Sequence, residues 1–464
     1  MVKINSVLDL KDKKILVVGL GRTGVSLIKF LCKHGAKVTA SDHKSEAELS
    51  DYLKKIKDLG VTLQLEGHPP ATFLNQDVVI VSPGVPINIK LFDHIKSKGI
   101  LVTGEFEFCS TFVKEPMVVI TGTNGKTTVA ELTYQFLTNS GVKAWIGGNY
   151  GRPLSEYLYR EEPADVLVVE ASSYMLEHIK RMVPNCIVFT NFAESHLDRH
   201  KTLSNYLSTK RKIFLNTYLK TTSILNADDR TVLEVAHDPL VQRGNILYFS
   251  RKKSLEPQIM KIGGAVMIGN KIHVRTGPEI EYYSMENVKV VGNHTYENIM
   301  AAILASREYG AKWDSIQETL MNYKGQSHRM EYVRKVGGVT FYNDSKATNV
   351  HAVMRAIDAF DDNLILIMGG KDGHLNFEPL KERIQKKVKN LILVGESKER
   401  INRHIGNSSE TFLIGTFEEA ILIAYQKSRI GDVVILSPGC SSFDSFNSYQ
   451  ERGELFKELV NQFK

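Results

Sequence analysis

The sequence predicts an α/β protein of three domains, each built on a largely parallel sheet. Short runs of β-branched and apolar residues alternate with helical stretches in three successive blocks, and this alternation is typical of parallel sheets covered by helices. A chain of 464 residues is also too long for one hydrophobic core. We expect the domains to span residues 1–112, 113–325 and 326–464.

The first domain is predicted to be Rossmann-like. Its strands are ILVVG from residue 15, then KVTAS, DVVIVS and ILVTG. Residues 46–59 have the pattern of a covering helix.

The same alternation of strands and helices begins again in the central domain. Its first strand is MVVIT, and VLVVEAS, CIVFTN and TSILNAD follow. These strands predict a parallel sheet like that of P-loop ATPases.

The pattern changes to period-two alternation between residues 247 and 290. There AVMIGNKIHV has the pattern of a hairpin turned at Gly269 and Asn270, so we expect a small antiparallel flap on the central domain. The helix YENIMAAILASREYG follows and is ended by Gly310.

The third domain is also predicted to be Rossmann-like. After VTFYN, its strands are NLILIMGG, NLILVGES, TFLIGT and DVVILSPG, and FNSYQERGELFKELVNQF is its terminal helix.

The composition is that of an ordinary globular protein, with 42% hydrophobic and 24% charged residues. The net charge of +7 is dispersed along the chain, which suits anionic substrates better than a nucleic-acid groove. The four cysteines form no CxxC pair and predict free thiols. No apolar run approaches the roughly 18 residues of a membrane span. We therefore expect a cytoplasmic protein that neither binds nucleic acid nor inserts into membranes.

The segment TGTNGKTT follows a strand and opens a helix. Successive backbone N–H groups and the start of a helix favour bound anions. Lys126 can reach the terminal phosphates of a nucleotide, and Thr127 can ligate magnesium. The alternative is a chance Gly-Lys-Thr turn, which the flanking strand and helix disfavour. The segment predicts an ATP site.

A second glycine loop, GLGRTG, contains Gly19, Gly21 and Gly24, and Asp42 ends the next strand. This arrangement is typical of dinucleotide sites. It leaves three interpretations open: a nicotinamide cofactor, another dinucleotide-like ligand, or tight packing of a helix on a strand. An ATP loop follows downstream, and this makes a nicotinamide cofactor for hydride transfer the weaker interpretation. A nucleotide-linked substrate is favoured as the ligand of the first loop.

Polar residues follow several other predicted strands. Glu170 and His196 end strands of the central domain, and Lys210 follows one short helix later. A carboxylate and an imidazole there suit magnesium and phosphoryl transfer, although both residue types also cap helices.

In the third domain, DSKATN places Asp344, Ser345, Lys346 and Thr348 directly after VTFYN. These groups suit recognition of a zwitterionic amino acid, and SPGCSSFDSF adds Ser442 and Phe443 at another strand end. The alternative for each segment is a polar turn.

With these motifs identified, the chain resembles the Mur ligase family of bacterial cell-wall synthesis over nearly its whole length. The shared motifs are, in order, GLGRTG, SPGVP, GTNGKTT, GGNYG, EASSYMLE, HLDRH, LNADD, GNHTYEN, HRME, DSKATN and SPGCSSFD. GTNGKTT is common to this family and the folylpolyglutamate synthases. DSKATN together with SPGCSSFD is more selective, and it is closest to the members that add D-glutamate.

The resemblance implies an ATP-dependent amide ligase that adds D-glutamate to UDP-N-acetylmuramoyl-L-alanine through an acyl phosphate and a tetrahedral intermediate. ATP would be a co-substrate and Mg²⁺ the cofactor, and we expect a monomer. Four alternatives stay open: a sibling ligase for another amino acid, a folylpolyglutamate synthase, a nicotinamide-dependent oxidoreductase, and a nucleotide-gated binding protein without chemistry.

The resemblance also implies the site residues. The UDP-substrate site would contain Gly21, Arg22, Thr23, Asp42, His43 and Lys44, with Asn149, Ser172 and His196 toward the muramoyl peptide. The ATP site would contain Gly122, Thr123, Asn124, Gly125, Lys126, Thr127 and Thr128, together with Asn298, Arg329 and Asp344. The catalytic residues would be Lys126, Glu170, His196 and Lys210, and magnesium would be held by Thr127, Glu170, His196 and Lys210 as a carbamate. D-Glutamate would be surrounded by Lys346, Thr348, Ser442, Phe443 and Tyr449, with Lys371 as a further candidate.

The sequence departs from the family pattern at three positions. Ser195 replaces an acidic residue before the histidine of HLDRH, Met175 replaces an amide, and Thr295 replaces an asparagine. Lys371 also lies two positions before the basic residue that the family has after its paired glycines.

Overall fold

The computed structural model describes residues 4–86, 90–286, 288, 292–323, 325 and 327–463. They form two compact units. Unit 1 comprises Met1–Ser284 and Glu297–Thr319, and unit 2 comprises Met285–Tyr296 and Leu320–Lys464. The first two sheets lie in unit 1 and the third lies in unit 2. The exact domain limits near residues 112 and 325 stay predictions.

The first sheet has five parallel strands in the described part of the chain, in the order β3-β2-β1-β4-β5. Its elements are β1 (Lys14–Val18), α1 (Arg22–Lys33), β2 (Lys37–Ser41), α2 (Ser50–Leu53), β3 (Thr62–Gln64), α3 (Pro70–Leu74), β4 (Val78–Val81), α4 (Lys90–Ser97), β5 (Leu101–Gly104) and α5 (Glu105–Ser110). The inner strand β4 is buried along its whole length, as the continuous apolar run VVIV predicts. The Rossmann-like prediction is confirmed.

The predicted helix over residues 46–59 is wrong in its extent. Only the four residues of α2 are α-helical, and a 3₁₀ turn follows at Lys57–Leu59. At the start of the segment, the Glu48 carboxylate accepts hydrogen bonds from the Ser45 backbone N–H and hydroxyl at 2.9 and 2.8 Å. Together with the bond from the Glu48 N–H to the Ser45 hydroxyl, they form a capping box, which favours the start of a helix. After α2, the backbone N–H groups of Lys55 and Ile56 bond to the carbonyl groups three residues back, so the segment tightens into 3₁₀-type turns.

The central sheet has nine strands in the described residues, in the order β14-β13-β12-β11-β10-β9-β6-β8-β7. Its elements are β6 (Met117–Thr121), α6 (Lys126–Asn139), β7 (Ala144–Gly148), α7 (Leu154–Arg160), β8 (Val166–Glu170), α8 (Ser173–Leu176), β9 (Cys186–Phe189), α9 (Leu197–His200), α10 (Leu203–Arg211), β10 (Thr222–Asn226), α11 (Arg230–Ala236), β11 (Asn245–Ser250), α12 (Glu256–Ile262), β12 (Gly264–Ile268), β13 (Lys271–Arg275) and β14 (Glu281–Ser284). Helices α13 (Asn293–Arg307) and α14 (Trp313–Asn322) follow. One unit limit falls within each of them, and a third falls directly after β14.

The predicted antiparallel flap is the edge of this central sheet. Strands β12 and β13 pair antiparallel, with Ile268 opposite Lys271, so the hairpin turned at Gly269 and Asn270 is confirmed. Strand β14 adds to the same edge, while β12 pairs parallel with β11. The flap therefore continues the parallel sheet.

Unit 2 is built on a sheet of six strands among its described residues, in the order β15-β16-β20-β17-β18-β19. Its elements are β15 (Glu331–Val336), β16 (Val339–Asn343), α15 (Val350–Asp358), β17 (Leu364–Gly369), α16 (Lys381–Lys387), β18 (Val388–Val394), α17 (Lys398–Ile405), β19 (Glu410–Leu413), α18 (Phe417–Lys427), β20 (Val433–Gly439) and α19 (Tyr449–Gln462). Only β15 is antiparallel to its neighbour, and hydrophobic clusters cover the sheet on both faces. The Rossmann-like prediction is confirmed here as well.

One hydrophobic core in unit 1 joins the first sheet to the central sheet. Phe106 and Phe108 of α5 belong to the same buried cluster as Leu176 and Met182 of the central domain. Within the described ranges, no helix has the length and apolar character needed to cross a membrane.

Candidate functional site

A cavity of about 600 Å³ opens at the carboxyl ends of the first sheet in unit 1. It brings together most of the residues predicted to hold the UDP-substrate, namely Gly21, Arg22, Thr23, Asp42, His43 and Asn149. The cavity is also lined by His68, Met175 and residues 82–86, which the sequence analysis missed apart from noting the SPGVP motif. The other three, Lys44, Ser172 and His196, are described residues that do not line it.

The glycine loop on the cavity wall is held in shape by its own contacts. Asp42 accepts hydrogen bonds from the backbone N–H groups of Leu20 and Lys44, at 2.7 and 3.0 Å. A Cβ on Gly24 would lie 2.0 Å from the carbonyl oxygen of Gly19. The backbone therefore requires glycine there, and Asp42 helps to shape the loop. Any contact of Asp42 with a ligand stays a prediction.

The phosphate loop between β6 and α6 also depends on close backbone approach. Gly122 and Gly125 have φ of +140° and +84°. A Cβ on Gly122 would lie 2.0 Å from Thr190 Oγ1, and one on Gly125 would lie 2.2 Å from Asn298 Oδ1. The Lys126 ammonium donates to the carbonyl oxygens of Gly122 and Thr123, at 3.1 and 2.9 Å. The loop is compact, and Asn298 lies against it. The assignment of Asn298 to ATP stays a prediction.

Asn149 connects the cavity to the strand end beside the phosphate loop. Its side-chain amide donates to Glu170 Oε1 at 2.7 Å, and its backbone N–H donates to the Glu170 carbonyl at 2.8 Å. Glu170 is only 2% exposed. Its Oε2 has no hydrogen-bond partner among the described residues. A buried carboxylate oxygen of this kind is a ready ligand for a hard cation.

Lys210 is the most deeply buried amine of the site, with 1% of the residue exposed. Its Nζ donates to the Gly122 carbonyl at 2.7 Å and lies 4.8 Å from the ring centre of Tyr206. Burial, and then the positive charge of Lys126, hold the pKa of Lys210 well below its usual range, while Glu170 opposes the shift. The uncharged amine is therefore favoured more than in a surface lysine.

His196 precedes α9 with a left-handed backbone, φ +55°. Its Nδ1 lies 3.0 Å from the Tyr174 hydroxyl. Burial, followed by the charges of Lys126 and Lys210, lowers the pKa of His196 to about 4. The lowered pKa keeps the imidazole neutral at pH 7.

Two residues near the cavity have structural contacts that the motifs did not indicate. Ser172 caps α8 by accepting the Met175 N–H at 3.4 Å. Arg199, which the sequence analysis did not single out, donates to both carboxylate oxygens of Glu177, at 2.9 and 2.6 Å, and to the Val85 carbonyl at 2.8 Å. Arg199 therefore ties the HLDRH segment to the cavity wall.

In unit 2, Asp344 is buried at the end of β16. Its carboxylate accepts hydrogen bonds from the Ser437 hydroxyl at 2.9 Å and the Met330 N–H at 3.2 Å. Burial raises the pKa of Asp344 to about 7, against the opposing effect of these bonds and of the Arg329 charge. The assignment of Arg329 and Asp344 to ATP stays a prediction.

The residues predicted to hold D-glutamate gather at the carboxyl ends of β16, β17 and β20, which are adjacent parallel strands. Lys346 Nζ lies 5.2 Å from the ring centre of Tyr449, and the Lys371 N–H donates to the Ser441 carbonyl at 2.9 Å. Ser442 is buried, whereas Thr348 and Phe443 are exposed.

A buried arginine behind these strand ends was also missed by the sequence analysis. Arg452 of α19 is 2% exposed, and it donates to the hydroxyl and carbonyl oxygens of Ser345 at 3.0 and 2.9 Å. A single arginine within an amphipathic helix gives no recognisable signal in one sequence.

No group of three or more His, Cys, Asp and Glu side chains converges on one point in the parts of the chain that the structure describes. A metal held beside Glu170 would therefore need oxygen ligands from elsewhere, such as hydroxyl, carbamate or phosphate groups, which is the usual situation for Mg²⁺.

Three protein-family models match successive parts of the chain. They are the Mur ligase MurD-like N-terminal domain over residues 13–104, the Mur ligase middle domain over 120–306, and the Mur ligase glutamate ligase domain over 328–440. Solved structures of similar fold include a pseudomurein peptide ligase type C from Methanothermus fervidus, with a TM-score of 0.61, 21% identity and coverage of 98% of this chain and 100% of that chain. MurF from Acinetobacter baumannii has a TM-score of 0.59, 14% identity and coverage of 96% and 93%.

Curated relatives are similar over almost the whole chain. A UDP-N-acetylmuramoylalanine--D-glutamate ligase of Bdellovibrio bacteriovorus is 63% identical over 455 residues, covering 98% of both chains. The ligase of the same name from Geotalea daltonii is 41% identical over 453 residues, again covering 98% of both. Identity at this level and over this length shows that the chain belongs to the Mur ligase family.

Proposed function

We propose that this protein joins the amine of D-glutamate to the terminal carboxyl group of UDP-N-acetylmuramoyl-L-alanine, at the expense of ATP, in peptidoglycan precursor synthesis. Two relatives whose names state this activity are 63% and 41% identical to it. The observation that carries the proposal is the hydrogen bond from Asn149 to Glu170. Through it, one residue lines the cavity and contacts the strand end beside the phosphate loop.

The cavity suits a nucleotide diphosphate at one end. Helix α1 begins at Arg22 directly after the glycine loop, so its first backbone N–H groups and the Arg22 guanidinium favour an anion. We assign the uridine diphosphate to this end, near Thr23 and His43. The muramoyl group would then extend along the cavity toward Asn149.

The reaction needs an activated acyl group, because hydroxide is a poor leaving group. An oxygen of the alanine carboxylate attacks the γ-phosphorus of ATP, the bond to the bridging oxygen breaks, and ADP leaves. The neutral amine of D-glutamate then attacks the acyl phosphate. The tetrahedral intermediate loses a proton from nitrogen and expels phosphate, which leaves the amide.

Charge stabilisation is the main contribution that we assign to this chain. The carboxylate, the triphosphate and the amino acid are all anionic and repel one another. Lys126 and the N-terminus of α6 place positive charge where the phosphates would lie. A neutral His196 adds no charge at pH 7, so we assign it to orienting the substrate or ligating a metal.

The residues around Glu170 fit magnesium. The unpartnered Glu170 Oε2 is a hard oxygen donor, and Thr127 lies in the first turn of α6. The lowered pKa of Lys210 favours the neutral amine, which can add CO₂ and lose one proton to form a carbamate with two further oxygen atoms. When bound, Mg²⁺ would neutralise phosphate charge. We assign Glu170, carbamylated Lys210, His196 and Thr127 to holding it.

A phosphate-release assay tests the proposed function. The full chain is mixed with ATP, Mg²⁺, UDP-N-acetylmuramoyl-L-alanine and either D- or L-glutamate. We expect phosphate and an amide product, identified by mass spectrometry, with the D-isomer only. Release with another amino acid would indicate a sibling ligase, and release with a folate would indicate a folylpolyglutamate synthase.

Lys126→Ala separates the proposal from the rivals of other classes. The ligase requires that this change abolishes turnover. An oxidoreductase built on the first glycine loop would bind NAD and tolerate the change, and a nucleotide-gated binding protein would bind both nucleotides without forming an amide. We further propose that the protein acts as a cytoplasmic monomer, which light scattering of the purified chain and cell fractionation can test.

A further inference from the structure

Arg452 is a buried cation whose hydrogen-bond acceptors are all uncharged. Its guanidinium donates to Ser345 Oγ at 3.0 Å and to four carbonyl oxygens, those of Ser345 at 2.9 Å, Cys440 at 3.2 Å, and Gly369 and Ser441 at 3.5 Å. Across the described residues, no carboxylate lies within ion-pair distance of it. Four neutral backbone oxygens and one hydroxyl therefore hold a full positive charge.

A charge of this kind is costly to bury without a counter-ion, because desolvation removes several kcal/mol per ion. Buried arginines are usually paired with a carboxylate. Burial lowers the pKa of Arg452 only to about 10, so the group remains charged at pH 7. Asp444 is the carboxylate whose charge favours the protonated form, but it lies beyond ion-pair distance. The positive potential at this end of the sheet is therefore only partly compensated.

The acceptors of Arg452 lie at the carboxyl ends of three strands: Ser345 follows β16, Cys440 and Ser441 follow β20, and Gly369 is the last residue of β17, directly before the segment that follows it. The three segments that follow these strands carry Lys346, Lys371 and Ser442, which are residues assigned to the amino-acid substrate. Arg452 thus fixes the backbone of all three segments from behind and adds positive charge to them in a low-dielectric region, where charges act strongly over short distances.

We propose that Arg452 is a specificity-determining positioning residue, which holds the three segments in register and favours an amino acid whose side chain bears a carboxylate over one whose side chain is neutral. This inference rests on the proposed function. It assigns no direct contact between Arg452 and the substrate, since the guanidinium is already occupied by backbone oxygens.

The test compares Arg452→Gln and Arg452→Lys with the unchanged protein. For each we measure kcat, the KM for D-glutamate, and the inhibition constant of D-glutamine as the competitor with a neutral side chain. In Arg452→Gln we expect the KM for D-glutamate to rise about tenfold or more, a loss of about 1.4 kcal/mol. The D-glutamine constant should rise by a clearly smaller factor, because D-glutamine loses the positioning of the segments but no attraction to its neutral side chain. The KM for the UDP-substrate should change less than about twofold.

Arg452→Lys retains the positive charge but loses the planar guanidinium group with its several N–H donors. It should keep the preference for D-glutamate over D-glutamine, although kcat falls. Arg334→Gln is the matched control, because Arg334 also contacts α19, donating to the Asn461 carbonyl at 2.9 Å, but at an exposed position. It should leave all constants unchanged.

Equal weakening of D-glutamate and D-glutamine in Arg452→Gln would show a purely structural role and overturn the inference. If the glutamine variant does not fold, the lysine variant still decides, because loss of its preference would mean that the charge is not the cause. Absence of D-glutamate ligation by the unchanged protein would instead overturn the proposed function.

Discussion

At the scale of single residues, Lys210 shows how burial changes chemistry. An amine that contacts the Gly122 carbonyl and lies near a second ammonium gains little from being protonated. The neutral form has a free electron pair, which is what addition to CO₂ requires. If Lys210 stayed protonated in this buried position, its positive charge would repel a bound metal ion.

We predict that Lys210→Ala lowers kcat by about 100-fold or more, because the site loses a ligand that positions the metal and the phosphates. Added formate or acetate should restore part of the activity by supplying carboxylate oxygens to the vacated space. Phosphate release with and without these anions measures the rescue. Lys220→Ala, which changes an exposed lysine, should retain activity within about twofold.

Carbon-13 NMR of the unchanged protein in labelled bicarbonate provides an independent check. A carbamate signal that disappears in Lys210→Ala supports the modification. Full activity of Lys210→Arg, which cannot form a carbamate, would contradict it.

Asp344 should make the stability of unit 2 depend on pH. The folded-state pKa of about 7 lies above the unfolded value of about 3.9. The folded protein therefore binds more protons between these values, and its stability falls as the pH rises from about 4 to 7. In Asp344→Asn, the amide can accept the Met330 N–H and donate to the Ser437 hydroxyl without carrying charge.

We predict that Asp344→Asn differs little from the unchanged protein at pH 4 and is more stable at pH 8, by about 1 kcal/mol or more. Thermal melts of both proteins at the two pH values measure the difference. A variant that is less stable than the parent at pH 8 would show that the carboxylate is ionised and well paired in the folded state. ATP turnover should fall in the same variant if Asp344 contacts the nucleotide.

At the scale of elements, the turn from β1 into α1 is set by two glycines with different surroundings. A Cβ on Gly24 would lie 2.0 Å from a backbone oxygen, whereas a Cβ on Gly21 would meet nothing within 4 Å. Gly21 also has a φ of −74°, which any residue can adopt. A side chain is therefore excluded at Gly24 and tolerated at Gly21, although both glycines belong to the same motif.

We predict that Gly24→Ala destabilises unit 1 by about 2 kcal/mol or more, since the helix must move away from the loop to relieve the overlap. Gly21→Ala, the matched control, should change stability by less than about 0.5 kcal/mol. Denaturant melts followed by circular dichroism measure both. Equal effects of the two substitutions would indicate that the turn relaxes easily.

Strands with largely buried residues were the elements that the sequence predicted well. The runs KVTAS, MVVIT and VTFYN correspond residue for residue to β2, β6 and β16, because central parallel strands need continuous apolar or β-branched residues. The helix over residues 46–59 was predicted too long. Its buried residues Leu49, Leu53 and Ile56 do have helical spacing, but the backbone bonds tighten to a 3₁₀ pattern after α2, which the spacing does not reveal. The motifs identified Lys126 and Glu170, but no pattern in one sequence indicated Arg199 or Arg452, whose partners lie far away along the chain.

At the scale of the whole molecule, the first sheet has a core of its own on one face, around Phe73 and Phe92, and shares the core on its other face with the central domain. Helix α5 places Phe106, Phe108 and Cys109 in a cluster shared with the central domain. Glu107 of the same helix accepts hydrogen bonds from the backbone N–H groups of Arg181 and Met182, at 2.7 and 3.2 Å. The two sheets of unit 1 should therefore gain or lose stability together.

We predict that Glu107→Ala destabilises both sheets of unit 1 by about 2 kcal/mol or more, because two buried N–H groups lose their acceptor. Hydrogen–deuterium exchange of the full chain, read by mass spectrometry, locates the effect. Exchange should accelerate in peptides from β1–β5 and β6–β9 alike and stay unchanged in peptides from β16–β20. Glu46→Ala, at an exposed position, should leave the exchange of unit 1 as it is. Acceleration confined to the first sheet would show that it opens independently, and the shared core would then not couple the two sheets.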